Sequence, residues 1–125
     1  MTTEQPAQIA RRLIRSNMYL TLGSADGAGT PWVSPVFYVA DAHSHFLWVS
    51  PPDARHSRNV AERPEVSIVI FDSKVPLGHA QAVYISARAK EVAAGDLEAA
   101  VQAFSRGSVG WGGGLDSGAC PGAGG

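Results

Sequence analysis

The chain has one cysteine, Cys120, and no long hydrophobic run. A single cysteine excludes an internal disulfide framework and suits a reducing compartment, so a cytoplasmic location is expected. No apolar stretch approaches the roughly 20 residues that a bilayer-spanning helix needs, so no membrane partner is expected. The opening residues, MTTEQPAQIARRL, lack the apolar core of a secretion signal. An excess of one charge is missing too. Ten Lys and Arg stand against 11 Asp and Glu, a net charge of -1, which argues against nucleic acid as a partner. What remains is 45% hydrophobic over 125 residues, enough for one domain with a core.

Apolar spacing predicts a first helix over 4–16, with Ile9 and Leu13, then Ala10 and Ile14, at i,i+4. Arg11, Arg12 and Arg15 lie off that stripe, on the solvated face. Strands are predicted over 19–24 and 31–40, joined by a turn in which Asp26-Gly27 is the hairpin signal. In the second strand Trp32, Ser34, Val36 and Tyr38 share one face, and Val33, Phe37 and Val39 share the other. Pro35 has no N–H to give a ladder. It marks a plain edge, a bulge, or a place where a flat ligand lies beside 34–36. His43 and His45 fall in a polar turn without a third ligand nearby and are read as solvent-facing, so no metal site is assigned.

The stretch WVSPPDARHSRNVAERP, residues 48–64, organises the rest. A third strand over 46–50 is stopped by Pro51 and Pro52; Asp53 is placed to cap a helix over 54–63, which ends before Pro64. The first turn carries Arg55 and His56, with Ser57, Arg58 and Asn59 behind. A helix N-terminus offers unpaired N–H groups and the positive end of the helix dipole, and arginines with a hydroxyl there suit a phosphate. A solvated basic face is the plain alternative, and both readings stay open.

A nearly continuous apolar strand over 66–72 is predicted to be central. A long connection, 73–81, follows, of a length that often carries function. The strand predicted over 82–92 alternates, with Val83, Ile85, Ala87 and Ala89 on one face. Gly95-Asp96 caps a last helix over 97–106, with Leu97, Ala100, Val101 and Phe104 as its apolar stripe. The expected class is mainly β with short helices, α+β, built on an antiparallel sheet that tends to close into a barrel. Nine of the 14 glycines fall between Gly107 and the end. The expected organisation is therefore one domain over 1–106 and a disordered Gly-rich tail over 107–125 without a strand. Trp111 and Leu115 are its possible contacts with the body, and Cys120 is read as exposed and incidental.

The run from 19 to 92 resembles the pyridoxamine 5'-phosphate oxidase-like flavoproteins, the FMN-binding split barrel. The matching pieces are TPWVSPVFYVAD, LWVSPPDARHSRNVAERPEVSIVIFD and GHAQAVYISARAKEV, in that order after a starting helix. They are most similar to small actinobacterial-type members. The resemblance implies an antiparallel split β-barrel homodimer with a flavin in each cleft between subunits. It implies that Ser50, Arg55, His56, Ser57, Arg58 and Asn59 hold the flavin phosphate. The backbone of Val33, Ser34, Pro35 and Val36 would lie along the ring, and Gln81 would reach the partner's flavin.

The pattern also departs from the true oxidase, which has an Arg-Lys pair where this chain has Arg58-Asn59. The oxidase's C-terminal ligands for substrate phosphate have no counterpart, which argues against pyridoxamine phosphate as substrate. Members continue with a further strand after the last helix, so the Gly-rich ending reads as an atypical, truncated terminus. The implied function is an FMN-binding oxidoreductase acting on an unidentified small molecule. The alternatives are a deazaflavin-dependent reductase, for which Lys74 and Arg88 are the candidate contacts, and a non-catalytic or degenerate flavin-binding dimer. No residue is assigned a catalytic role. His56 is read as a phosphate contact or helix surface, not a proton-transfer group.

Overall fold

A computed structural model describes residues 4–41, 44–108 and the backbone of 123–124. The first helix, α1, is Pro6–Ser16, with Pro6 in its first turn and a capping box between Gln5 and Gln8. Leu13 and Ile14 are buried, and the three arginines are exposed as the spacing predicts. Asn17 then bonds back to the Leu13 carbonyl at 2.9 Å and ends the helix.

Strands β1 (Tyr19–Ala25) and β2 (Pro31–Phe37) form the expected hairpin. The Asp26 carboxylate accepts N–H bonds from Ala28 and Thr30, both at 2.9 Å, and Gly29 takes a positive φ of 88° that closes the turn. These bonds, led by that from Thr30, hold the Asp26 carboxyl below its usual range.

The single strand predicted over 31–40 is in fact two. At Tyr38 the backbone N–H still bonds Met18, at 3.0 Å, and the buried hydroxyl donates to the Ile14 carbonyl at 2.6 Å. After that anchor the chain changes partner, and β3 (Val39–Asp41) pairs with β4 (His45–Leu47). The expected strand over 46–50 shortens for the same reason. Its ladder ends at the Val39–Leu47 pair, because the preceding backbone is already committed to β1. Trp48 leaves the ladder and fills the core at 2% exposure.

Helix α2 is Arg55–Glu62 and its N-cap is Ala54, which corrects the expected cap at Asp53. The Ala54 N–H bonds the Pro51 carbonyl at 3.1 Å, so Asp53 sits inside a tight turn one residue too early to cap. The far end stops where expected, with Arg63 extended before Pro64. Strands β5 (Glu65–Phe71) and β6 (Ala82–Arg88) complete a four-stranded antiparallel sheet in the order β2-β1-β5-β6. β5 is central, as its apolar run predicts, and Val66, Ile68 and Ile70 point into the core.

The long strand predicted to 92 breaks at Ala89, whose N–H bonds the Pro64 carbonyl at 2.8 Å, and resumes as β7 (Lys90–Glu91). A 3-10 turn at Ala94–Asp96 leads into α3, Leu97–Ser108, two residues longer than predicted. Gly107 lies so close to Val39 that a Cβ there would overlap its side chain, so α3 packs on β3 through this glycine. Ala123–Gly124 forms a short strand, β8, against β7, where the tail's composition predicts none. Such pairing is between backbones and needs no apolar side chains. The rest of the predicted tail, with Trp111, Leu115 and Cys120, and His43 in the earlier turn, lies outside the described residues.

Candidate functional site

Three segments converge on the first turn of α2. β2 brings Ser34, the link after Trp48 brings Ser50, and the helix itself brings Arg55 and His56. The His56 imidazole spans the other two: Nδ1 lies 3.2 Å from Ser34 Oγ and Nε2 lies 2.7 Å from Ser50 Oγ. Ser50 is buried, and His56 and Ser34 are half-buried. Burial holds the imidazole below its ordinary pKa of 6.5. A neutral imidazole has one N–H and one lone pair, so it donates to one serine and accepts from the other.

Around that bridge the turn is rich in donors. No side chain caps the N-terminus of α2, so its first N–H groups face outward without a side-chain acceptor. The Arg55 guanidinium lies 4.5 Å from the centre of the Trp32 ring, a cation–π contact. Arg58 is exposed one turn on. Ser57 Oγ is buried and has no hydrogen-bond partner among the described residues. A buried hydroxyl without a partner is costly.

Two further bonds fix the helix to the β1–β2 hairpin. Asn59, 5% exposed, donates from Nδ2 to Ser24 Oγ at 3.1 Å, and Arg63 Nη2 donates to the Gly27 carbonyl at 3.0 Å. These bonds tie α2 to the hairpin beneath it.

The residues singled out from the sequence divide into groups. Ser34, Ser50 and His56 are joined by hydrogen bonds, and Arg55, Ser57, Arg58 and Asn59 follow on the same helix. Val33 and Pro35 are exposed on the other face of β2, while Val36 is buried in the core. β2 is an edge of its sheet. The Tyr38–Met18 bond sets the ladder's phase and puts residues 36 and 34 in hydrogen-bonding positions; Pro35 therefore turns its nitrogen away from β1 and costs no bond. The edge reading of Pro35 holds.

Gln81 stands apart within the chain, accepting a hydrogen bond from Arg12 Nη2 on α1. The open clefts near α1, of about 410 and 430 Å3, also lie on that side and not at the serine–histidine bridge. Of the site's neighbours, Trp32 and Ser24 escape a reading of the sequence. Trp32 shares a face with Ser34, which is a usable signal, but nothing local links Ser24 to a residue 35 positions later. Among the described residues no group of three His, Cys, Asp or Glu side chains is placed to hold a metal ion, and no helix is long and apolar enough to cross a membrane.

A family model described as pyridoxamine 5'-phosphate oxidase matches residues 7–117. No curated protein matches the chain. Among solved structures, the fold is similar to a heme binding protein from Mycobacterium smegmatis, at 22% identity and a TM-score of 0.78, covering 99% of this chain and 52% of that one. It is similar to HutZ, the heme storage protein from Vibrio cholerae, at 22% identity and TM-score 0.73, covering 88% of this chain and 78% of that one. An FAD-binding protein from Mesorhizobium loti is similar at 21% identity and TM-score 0.68, covering 96% of this chain and 88% of that one. The chain spans about half the length of the Mycobacterium smegmatis protein. At these identities the likeness is one of fold: mixed α+β with antiparallel sheets and short helices, as the sequence predicts.

Proposed function

The chain belongs to the pyridoxamine 5'-phosphate oxidase family, and on that footing we propose that it is an FMN-binding oxidoreductase acting on a small molecule. The observation that supports this most is the first turn of α2. An uncapped helix start, Arg55 and Arg58, the Ser34–His56–Ser50 bridge and the partnerless hydroxyl of Ser57 all lie on or against one short helix. That donor set fits a phosphate, which asks for N–H and O–H donors and positive charge together. Arg55, His56, Ser57, Arg58 and Ser50 would hold the phosphate. Asn59, already bonded to Ser24, would steady the helix under it.

The outward edge of β2 at 33–36 would run beside the flavin ring, using the side of the backbone that β1 leaves open. When bound, the flavin supplies hydride exchange at its ring. The protein's part is to bind and orient it, and no side chain is given a proton-transfer role. We place the cofactor at the interface of a homodimer, with Gln81 approaching the flavin of the partner. Val33 at 69% and Tyr84 at 82% exposure are apolar side chains on the two sheet edges that such an interface would cover.

A second reading is a ligand-binding dimer without turnover. It draws on the heme binding and heme storage proteins among the similar folds. Parallel titrations of the purified chain with FMN and with hemin separate the two. Saturable FMN binding with the flavin then reducible by a nicotinamide donor supports the oxidoreductase. Saturable hemin binding with no affinity for FMN supports the second reading and removes the first.

A further inference from the structure

Resting on the phosphate-seat reading above, we propose that His56 makes that seat proton-linked: the cofactor's phosphate binds together with one proton, taken from solvent onto the imidazole between Ser34 and Ser50. The geometry carries this. In the ligand-free chain the imidazole is neutral and consumes one hydroxyl proton, because one serine must donate to its lone pair. Protonation turns both ring nitrogens into donors. Both serine hydroxyls are then free to aim their own protons at an anion. One proton thus converts a self-satisfied bridge into a seat with an imidazolium and two O–H donors.

The surroundings decide the direction. β1, β2 and residues 46–52 carry no charged side chain, and β7, which also packs against α2, brings one charge of each sign, Lys90 and Glu91. Its own segment brings Arg55 and Arg58, which oppose a further positive charge, against Asp53 and the more distant Glu62. Asp26, in the β1–β2 turn, lies near Arg55 and offsets it. Half-burial favours the neutral ring until an anion arrives. A bound phosphate dianion reverses the balance, because it is the nearest opposite charge to the ring.

The sign follows from linkage. Proton uptake on binding means that affinity is greatest at low pH and falls as pH rises between the free and bound pKa of His56. The free value lies below 6.5, so the fall starts below that pH and continues above it. The phosphate's own second ionisation, near pH 6, limits the gain at the acid end.

The test is FMN affinity from pH 6 to 9 by flavin fluorescence, with proton uptake read by calorimetry in buffers of different ionisation enthalpy. The wild-type dissociation constant should rise by up to about tenfold per pH unit through the linked window, with about one proton taken up per FMN at its centre. His56→Lys, whose ammonium stays charged to about pH 10, should bind with no slope below pH 9. His56→Gln, isosteric enough to keep the serine contacts and never charged, should also lose the slope and bind as weakly at pH 6 as wild type does at pH 9. FMN binding that is independent of pH in the wild type, or a slope that survives in both variants, overturns the proton link while leaving the phosphate seat standing. Absence of FMN binding at every pH overturns both.

Discussion

Helices α1 and α2 each present arginines beside polar side chains, and the two faces behave differently. On α1, Arg12 pairs with Glu4 at 3.0 Å and bonds Gln81, with both charged partners well exposed. The pair lowers the Glu4 carboxyl pKa and raises that of the guanidinium, mainly through their hydrogen bonds. Its charges are therefore answered within the chain. On α2, Arg55 leans on an aromatic ring, His56 is held by two serines, and the helix start has no side-chain cap. Charge alone does not mark a site. What separates the faces is convergence: on α2, a strand, a link and a helix bring donors together, with Asp26 near Arg55 but no carboxylate ion-paired to the arginines of the first turns among the described residues.

The largest test of that convergence removes what holds the link in place. Trp48→Ala should cost about 3–5 kcal/mol, seen as a lower denaturant midpoint, because a nearly fully buried indole leaves a cavity. Ser50, two residues on, should lose its place beside His56, and FMN affinity should fall with stability. A midpoint close to wild type would mean that Trp48 does not anchor the link.

Next comes the seat itself. Arg55→Ala and Arg58→Ala should each weaken FMN binding by about 1.5–3 kcal/mol, the worth of a hydrogen bond to a charged group. Both side chains are exposed, so the denaturant midpoint should barely move. Unchanged affinity in both variants would make α2 a solvated face like that of α1.

Tyr38 offers a smaller effect, away from the seat. Its hydroxyl bonds the Ile14 carbonyl, and burial pushes its pKa from 10.0 up to about 12. A folded value above the unfolded one gives stability that is complete below pH 10 and lost as pH rises from 10 toward 12. Tyr38→Phe should cost about 0.5–1.5 kcal/mol at neutral pH and remove that part of the alkaline loss. Titration of unfolding from pH 9 to 12 checks both. An unaltered alkaline limb in the variant would place the loss elsewhere.

The smallest effect completes the contrast. Arg12→Ala should leave both the denaturant midpoint and FMN affinity within error of wild type, since exposed ion pairs contribute little. A loss of affinity in a dimer, with stability unchanged, would show that the Arg12–Gln81 contact reaches the cofactor of the partner.

Much of the fold is legible in the sequence because it rests on local periodicity. The stripe ending in Leu13 and Ile14, the alternation in β6 and the apolar run of β5 each lead to the right element and the right face. The misreadings fall where a contact distant in sequence overrides local pattern. Tyr38 ends the β1–β2 ladder, bonding Met18 through its N–H and Ile14 through its hydroxyl, and β6 ends at Ala89 because its in-register partner, Pro64, has no N–H to return. Asp53 has the right chemistry for a cap and sits one residue out of phase, because Pro51 and Pro52 set a turn first. The residues of the seat are legible as a cluster on α2. Trp32 is legible only through the face it shares with Ser34, and Ser24 not at all, since packing across 35 positions leaves no mark on either segment alone.

The central claim is that the first turn of α2 is the seat of a flavin phosphate, and comparing FMN with riboflavin at one pH tests it most directly. The two ligands share the ring and differ by the phosphate. If the seat is right, FMN should bind at least about tenfold more tightly, the equivalent of one charged hydrogen bond, and Arg55→Ala should shrink that ratio. Equal affinity for the two, or a ratio that Arg55→Ala leaves intact, would contradict it.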